Sequence, residues 1–322
     1  MILAIDQGSS KTQALVGDTQ GNILGTGLAE GACHFHVGMD AAMAAVKTAA
    51  DRALKASGIH EGEIGLVSAG MSGANWPDEF KMLTEGLQML FCQAEIHVYN
   101  DSIPALFAGT QASDAIILCA GTAFNCAVLK NDEVVWIYNN YTEMMDEGGK
   151  SLGTRAMQKV FRSDNCLGPE TSMKHRAMDF FGYDKEMDML LDFSRNCLSK
   201  PIKDFAKIVD EEAIKGDQVA LETQYEFSCS LSRYAVGAMK RFNLLNKPID
   251  IVLSGGIFKA QSPVMIDAIR TEIHRASPLA RIVEARYEPV VGAFELALNS
   301  GEKQLWLPRV QKTATEFSLE RF

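Results

Sequence analysis

One pattern occurs twice in this chain of 322 residues, and it constrains the fold more than any other feature. Each copy has an apolar strand, a turn rich in small residues, a second strand, a polar turn and a third strand; the first turns carry Gly8 and Gly121. Helical and extended segments then alternate, so each half has the order βββαβαβα. Such alternation is typical of α/β layers. The sequence therefore predicts two related α/β domains, residues 1–112 and 113–322, facing each other across a cleft.

The second copy is interrupted by a long insertion. From about residue 151 to residue 246 the sequence is mainly helical, and Leu231, Ala235 and Met239 recur at helical spacing. The segment IDIVLSGGIF then resumes the strand pattern. The second domain is therefore predicted to contain a helical insertion.

Charge and composition exclude several classes of function. The chain has 41 acidic and 31 basic residues and a net charge of −10, which gives no general attraction to nucleic acid or anionic lipid. The first residues lack the basic and apolar regions of a secretory signal, and no apolar run approaches the ~20 residues of a membrane span. The seven cysteines are scattered, without a CxxC pair. We predict a cytoplasmic protein that binds a small molecule, with no nucleic-acid or membrane partner.

Three glycine turns that follow strands are candidates for nucleotide binding. Residues 6–12 (DQGSSKT) form a turn whose amides and hydroxyls could bind phosphate oxygens, although one such turn is more often only a hairpin. Residues 120–123 (AGTA) occupy the equivalent place in the second copy, and two opposed turns could grip a polyphosphate. Residues 254–256 (SGG) could let the backbone approach a flat ligand, or could simply connect a strand to a helix.

Three aspartates are candidates for the chemistry of a phosphoryl transfer. Asp101 ends a predicted strand, where open α/β sheets bind ligands, and it could accept the proton of a hydroxyl group. It could equally be only the N-cap of the helix that follows. Asp146 could bind sugar-like hydroxyls, and Asp6 could hold a hydrated Mg²⁺.

Six segments in this order and spacing resemble the BadF/BadG/BcrA/BcrD ATPase family, and more closely its N-acetylglucosamine kinase-like branch, within the actin/hexokinase/Hsp70 superfamily. These segments are IDQGSSKT, VYND, CAGTAFNC, MMDEGG, LSGGIF and PVVGAFELAL. The resemblance implies two ribonuclease H-like (actin-like ATPase) domains. It also implies a sugar kinase that uses ATP and Mg²⁺ to phosphorylate an alcohol group of an amino sugar or related hexose. A homodimer is also expected.

The resemblance further implies the roles of individual residues. The residues expected to bind ATP are Asp6, Gly8, Ser10, Lys11, Thr12, Gly121, Thr122, Gly255, Gly256 and Phe258. Asp101 is expected to be the catalytic base, and Asp6 and Asp101 to hold Mg²⁺ directly or through water. The residues expected to contact the sugar are Ser72, Gly73, Asn125, Asp146 and His34.

Four positions depart from the family pattern. The second loop is usually GTGS, but here Ala123 and Phe124 replace its second Gly and its Ser, which removes a positive-φ option and a hydroxyl donor. Cys33 stands where N-acetylglucosamine kinases have an Asn that binds the sugar, and Lys150 follows the DEGG segment. We therefore expect a related hexose, or an amino sugar with a carboxylate, to be as good a substrate as N-acetylglucosamine.

Two other functions are compatible with the same fold. One is an ATPase that activates a radical dehydratase or reductase and carries an iron–sulfur cluster, although no cluster motif with paired cysteines is evident in the sequence. The other is a regulatory protein that binds a sugar or nucleotide without turnover, which the GTAF loop suggests. Iron analysis tests the first function, and ATP consumption with a panel of sugars tests the second.

Overall fold

A computed structural model describes residues 1–321, which form two compact units. The first unit comprises Met1–Ile117, Ala127–Trp136 and the chain from Val283 onward, and the second comprises Leu118–Cys126 and Ile137–Ile282. The strands are β1 (Ile2–Gln7), β2 (Lys11–Gly17), β3 (Ile23–Glu30), β4 (Leu66–Met71), β5 (Glu95–Asn100), β6 (Ala115–Ala120), β7 (Phe124–Lys130), β8 (Glu133–Ile137), β9 (Asp250–Ser254) and β10 (Arg281–Glu284). The helices are α1 (His34–Val37), α2 (Met39–Ser57), α3 (Pro77–Leu90), α4 (Ser102–Phe107), α5 (Gly148–Asp164), α6 (Met173–Phe181), α7 (Glu186–Ser194), α8 (Phe205–Ile214), α9 (Gln218–Arg241), α10 (Val264–Ala276), α11 (Pro289–Leu296) and α12 (Lys303–Glu316).

The first sheet has the strand order β3-β2-β1-β4-β5. Strands β1, β2 and β3 pair antiparallel, whereas β4 pairs parallel with both β1 and β5. The central strand β1 is a continuous apolar run because it is buried on both faces. Leu3 and Ile5 pack with α2 and α3 on one face, and Ile2 and Ala4 pack with α11 and α12 on the other. Strand alternation directs Asp6 to the same face as Ile2 and Ala4.

The second sheet repeats this topology. Its order is β10-β9-β6-β7-β8, so in both sheets the first strand of the copy is central, with the second and third on one side and the fourth and fifth on the other. The duplicated α/β fold predicted from the repeated pattern is confirmed.

Five helices, α5 to α9, lie in the segment predicted as a helical insertion. In α9, Asp217 is the N-cap and accepts a hydrogen bond from the amide of Ala220, while Leu231, Ala235 and Met239 are fully buried. The predicted helical periodicity thus corresponds to a buried face. Within residues 1–321, no helix is both long and apolar enough to cross a bilayer.

Helices α11 and α12 pack against the first sheet, although they lie late in the chain. Phe294, Trp306 and Val310 join Ile2 and Leu15 in one buried cluster. The domain boundary expected after residue 112 stays a prediction. A boundary there would assign α11 and α12 to the C-terminal domain, whereas both helices bury their apolar faces on the sheet formed by the N-terminal strands.

Candidate active site

Asn100, rather than Asp101, caps helix α4. The Asn100 Oδ1 atom accepts hydrogen bonds from the Ser102 amide at 3.0 Å and from the Ser102 hydroxyl at 2.6 Å. The Asn100 Nδ2 atom donates to the Ala74 carbonyl at 3.1 Å. Asp101 stands at the formal N-cap position but has helical backbone angles and makes no capping hydrogen bond with its side chain. The neighbouring Asn therefore performs the role that the N-cap alternative assigned to Asp101.

The half-buried Asp101 lies near a second carboxylate, that of Asp6. Burial raises the pKa of Asp101 to about 6, although hydrogen bonds from the Ser72 hydroxyl and from the backbone amides of Ser102 and Asp101 oppose that shift. Burial also raises the pKa of Asp6 to about 7; Lys11 opposes this shift, and the nearby charges of Asp101 and Glu288 reinforce it. The fold thus brings Asp6 and Asp101 close enough for the charge of Asp101 to raise the pKa of Asp6.

The first glycine turn closes the hairpin between β1 and β2. The Gly8 amide donates to the Lys11 carbonyl at 2.9 Å, and Ser9 and Ser10 are exposed. Thr12 departs from the prediction of a phosphate contact: it is fully buried, and its hydroxyl donates to the Glu30 carbonyl at 2.9 Å. The turn ends one residue earlier, at Lys11, so Thr12 lies within β2 and its hydroxyl is bonded to the backbone of β3.

The predicted phosphate-binding Lys11 pairs with a residue near the C-terminus. Its Nζ atom lies 2.6 Å from Glu288 Oε2 and 3.2 Å from Gln13 Oε1. Glu288 immediately precedes α11, and its backbone amide donates to the Leu319 carbonyl at 2.8 Å. The Lys11 ammonium group is therefore held beside the first turn by the carboxylate of the residue that precedes α11.

A short segment, residues 31–34, connects the first turn with the predicted sugar-binding turn at Ser72 and Gly73. The Ala32 amide donates to the Gly8 carbonyl at 3.2 Å. The Cys33 thiol donates to the Ser72 carbonyl oxygen, with 3.6 Å between sulfur and oxygen. A Cβ on Gly73 would lie 2.6 Å from His34 Cε1, so the His34 ring covers the backbone of this turn. Both ring nitrogens of His34 are buried without a hydrogen-bond partner.

The second glycine turn, at Gly121, is supported by the DEGG segment. The Gly149 amide donates to the Gly121 carbonyl at 2.8 Å, and a Cβ on Gly148 would lie 2.4 Å from the Ala123 carbonyl oxygen. Gly148 also has a positive φ of 47°. Only glycine therefore fits this close approach of the two segments. The backbone of Ala123 does not adopt a positive φ, so replacing the family's Gly with Ala causes no backbone strain here.

Asp146 is buried and uses both carboxylate oxygens. Its Oδ1 atom accepts from Arg155 Nη2 at 3.0 Å, and its Oδ2 atom accepts from the Tyr234 hydroxyl at 3.0 Å. Asn125 is also buried, and its Oδ1 atom accepts from the Cys126 amide at 2.8 Å. The fold therefore presents the two predicted sugar contacts of the second unit as fixed groups.

The third glycine turn needs glycine at Gly255 for a reason other than the predicted approach of a ligand. Gly255 has a φ of 101°, and a Cβ there would lie 2.1 Å from the Ala120 carbonyl oxygen, so glycine is required by the neighbouring strand end rather than by a ligand. Gly256, in contrast, has open space where its Cβ would be. Phe258 is buried, with 4% of its surface exposed. Thr122 on the second turn is half-buried.

Lys150 pairs with Glu147 rather than facing a binding site. Its Nζ atom lies 3.1 Å from Glu147 Oε2, and 61% of its side chain is exposed. This pairing along the first turn of α5 compensates the ammonium charge. The structure therefore gives no support to the expectation that Lys150 favours an acidic sugar.

Three residues that the sequence did not single out contact the predicted site residues: Glu288, Arg155 and Tyr234. Glu288 directly precedes the PVVGAFELAL segment, which is a local signal that could have been used. Arg155 lies in α5, which begins just after Asp146, but Tyr234 lies far along the chain in α9. No local pattern indicates that Tyr234 meets Asp146, because only tertiary packing brings them together.

The donor set of the first unit fits a magnesium ion held largely by water and phosphate. Among residues 1–321, no group of three His, Cys, Asp or Glu side chains is arranged to hold a metal ion. Asp6 and Asp101 are two carboxylates with raised pKa values, and a divalent cation would favour their ionised forms. Mg²⁺ typically binds one or two carboxylates plus substrate phosphates. At the glycine turns, the open space beside Gly121 and Gly256 leaves their backbones accessible to a nucleotide.

Comparison with known proteins identifies the family. A sequence model of the BadF/BadG/BcrA/BcrD ATPase family matches residues 3–297. The chain belongs to this family. An N-acetyl-D-glucosamine kinase from Dictyostelium discoideum is 23% identical over 317 residues. The match covers 93% of this chain and 98% of the relative. An N-acetylmuramic acid/N-acetylglucosamine kinase from Clostridium acetobutylicum is 21% identical over 73% of this chain and 78% of its own length.

The fold is shared with solved sugar kinase structures. A ROK family glucokinase from Streptomyces griseus, in complex with glucose and AMPPNP, matches this family member with a TM-score of 0.61 at 17% identity. The match covers 92% of this chain and 98% of the glucokinase. At this identity the similarity establishes the fold alone.

Proposed function

We propose that this protein is an ATP- and Mg²⁺-dependent kinase that phosphorylates a hydroxyl group of an amino sugar, N-acetylglucosamine or a related hexose. Membership of an ATPase family and two relatives that are amino-sugar kinases support this proposal. The observation that carries it is Asp101: its half-buried carboxylate has a raised pKa and accepts a hydrogen bond from the Ser72 hydroxyl, while the Asn100 side chain caps the helix that follows. A carboxylate in this state is suited to accept a proton.

The residues of the first unit have separate tasks in this mechanism. Asp101 accepts the proton of the acceptor hydroxyl, and the Ser72 hydroxyl orients that carboxylate. Asp6 and Asp101 hold Mg²⁺, directly or through water, and the ion when bound would neutralise charge on the phosphate oxygens. Lys11 exchanges its ion pair with Glu288 for the phosphates, and the exposed Ser10 hydroxyl binds a phosphate oxygen. The raised pKa of Asp101 makes its carboxylate a better proton acceptor than that of an exposed aspartate.

Asp146 and Asn125 contact the sugar from the second unit. Asp146 is held by two donors, so its remaining lone pairs accept sugar hydroxyls from a fixed direction. Because Arg155 compensates its charge, Asp146 gives no net attraction to a protonated amine. A neutral N-acetylated sugar is therefore a better fit than free glucosamine.

A coupled assay of ADP release tests the proposed function. We expect Mg·ATP to be consumed with N-acetylglucosamine, N-acetylmuramic acid or glucose, and a phosphorylated sugar to be found by mass spectrometry. ADP release without a phosphorylated sugar, or only in the presence of an iron-containing partner protein, would instead favour the activator ATPase. The homodimer expected from the sequence is tested by light scattering of the same preparation.

The pH dependence of turnover follows from the pKa of Asp101. Because the base acts only when ionised, and its pKa in the free protein is raised to about 6, kcat/KM for the sugar is expected to fall below about pH 6. The Asp6 pKa of about 7 adds a fall in affinity for Mg²⁺ as the pH decreases through neutrality. Rates measured from about pH 5 to pH 8.5 at subsaturating sugar test this expectation, and a constant kcat/KM down to pH 5 would contradict it.

A further inference from the structure

Tyr234 contacts Asp146, a residue just before α5 that is expected to bind the sugar. Its hydroxyl donates to Asp146 Oδ2 at 3.0 Å and accepts from the Glu143 amide at 2.9 Å. The hydroxyl group therefore ties the carboxylate to the segment that precedes it. Burial raises the pKa of Tyr234 to about 12, so the phenol stays protonated and donates to the carboxylate throughout the range in which a kinase works.

The Tyr234 ring is held by the second glycine turn. The Phe124 ring contacts it edge-to-face, with 5.0 Å between the ring centroids, and the Tyr138 ring contacts it at 5.9 Å and an interplanar angle of 90°. Phe124 is buried, with only 5% of its surface exposed. Its side chain therefore packs on Tyr234 and does not lie exposed on the turn.

Arg155 completes the support of the same carboxylate from another helix. Its Nη2 atom donates to Asp146 Oδ1 at 3.0 Å, to the Met145 carbonyl at 2.6 Å and to the Ser230 hydroxyl at 3.1 Å. Asp146 is thus fixed at both oxygens, by α5 on one side and by α9 on the other. Fixed oxygens direct their remaining lone pairs along defined lines, which is what binding of sugar hydroxyls requires.

We propose that Phe124 and Tyr234 are positioning residues for the sugar contact of Asp146, so that the GTAF loop serves sugar binding and is not a degraded phosphate loop. This inference rests on the proposed function. A serine at position 124, as in the GTGS pattern that the family usually has, could not make the ring contact with Tyr234. Restoring GTGS therefore weakens sugar binding instead of improving ATP binding.

The test compares the two substrates in three variants. Tyr234→Phe removes only the hydroxyl and is expected to raise KM for the sugar roughly 10-fold, because a bond to a charged group is lost. Phe124→Leu keeps an apolar side chain and is expected to raise the same KM about 3-fold through loss of the ring contact. The double substitution Ala123→Gly with Phe124→Ser should raise it by at least as much as Phe124→Leu. In all three, KM for Mg·ATP should stay within about twofold of the wild type.

Tyr225→Phe is the matched control, because Tyr225 lies on the same helix with 46% of its surface exposed and outside these contacts. Sugar binding is also measured by calorimetry without ATP, and the melting temperature of each variant is recorded. If Tyr234→Phe does not fold, Phe124→Leu carries the test. An equal rise in both KM values indicates general damage and overturns the inference, as does an unchanged sugar KM in a folded variant. A wild type that phosphorylates no sugar would instead refute the proposed function.

Discussion

Replacing Asp101 with Asn is expected to lower kcat on the sugar substrate by about 10²–10⁴-fold, the range typical of a lost general base. The substitution keeps the shape of the side chain and its place beside Ser72, but it removes the proton acceptor. KM for Mg·ATP should change far less than kcat, because Lys11, Asp6 and the first glycine turn are untouched and only one of the two carboxylates proposed to hold Mg²⁺ loses its charge. Initial rates of ADP release at saturating sugar and Mg·ATP measure the effect.

The stability of the same variant separates catalysis from folding. Since burial raises the pKa of Asp101, the folded protein binds that proton more tightly than the unfolded chain, and stability is lost as the pH rises through about 6. Asparagine does not ionise, so at about pH 7.5 the melting temperature should not fall. Asp78→Asn, in the exposed first turn of α3, is the matched control and should keep wild-type activity. If Asp101→Asn retained most of its turnover, Asp101 would not be the base.

Gly292→Ala is expected to have the second large effect. Gly292 lies in α11, where a Cβ would come 1.9 Å from the Pro104 carbonyl oxygen and 2.6 Å from the Ala108 amide nitrogen, both on or next to α4. Neither atom can yield without moving α4, so we expect a loss of about 1–3 kcal/mol in the free energy of unfolding. Because Asp101 directly precedes α4, a shift of that helix should also lower kcat by up to roughly 10²-fold.

Thermal unfolding and kcat are measured together for this variant. Gly62→Ala is the control, since a Cβ there would find its nearest neighbour, the side chain of Gln93, at 3.9 Å. It should change neither the melting temperature nor the rate appreciably. A Gly292→Ala protein with wild-type stability and rate would show that the two helices can separate freely, and that α11 does not position Asp101.

The departures from the family pattern had different outcomes in the structure. Ala123 takes no positive φ, so the strain expected from losing a glycine is absent. Phe124 is buried against Tyr234, a contact that links the second glycine turn to α9. Lys150 pairs with its neighbour Glu147. The consequence of each change depended on what lay next to it in space, which the identity of the residue alone does not reveal.

The sequence by itself determined the duplicated α/β topology, because apolar periodicity and glycine turns are local properties that each segment carries. The resemblance to the family also indicated Asp6 and Asp101 as the carboxylates of the candidate Mg²⁺ site. Only the tertiary structure decided that Asn100 caps α4 in place of Asp101, that Glu288 holds Lys11, and that α11 and α12 cover the first sheet. These contacts join residues through packing and charge, and their partners are chosen by the folded chain as a whole. Burial, which raises the pKa values of the two carboxylates, likewise arises only once those helices are in place.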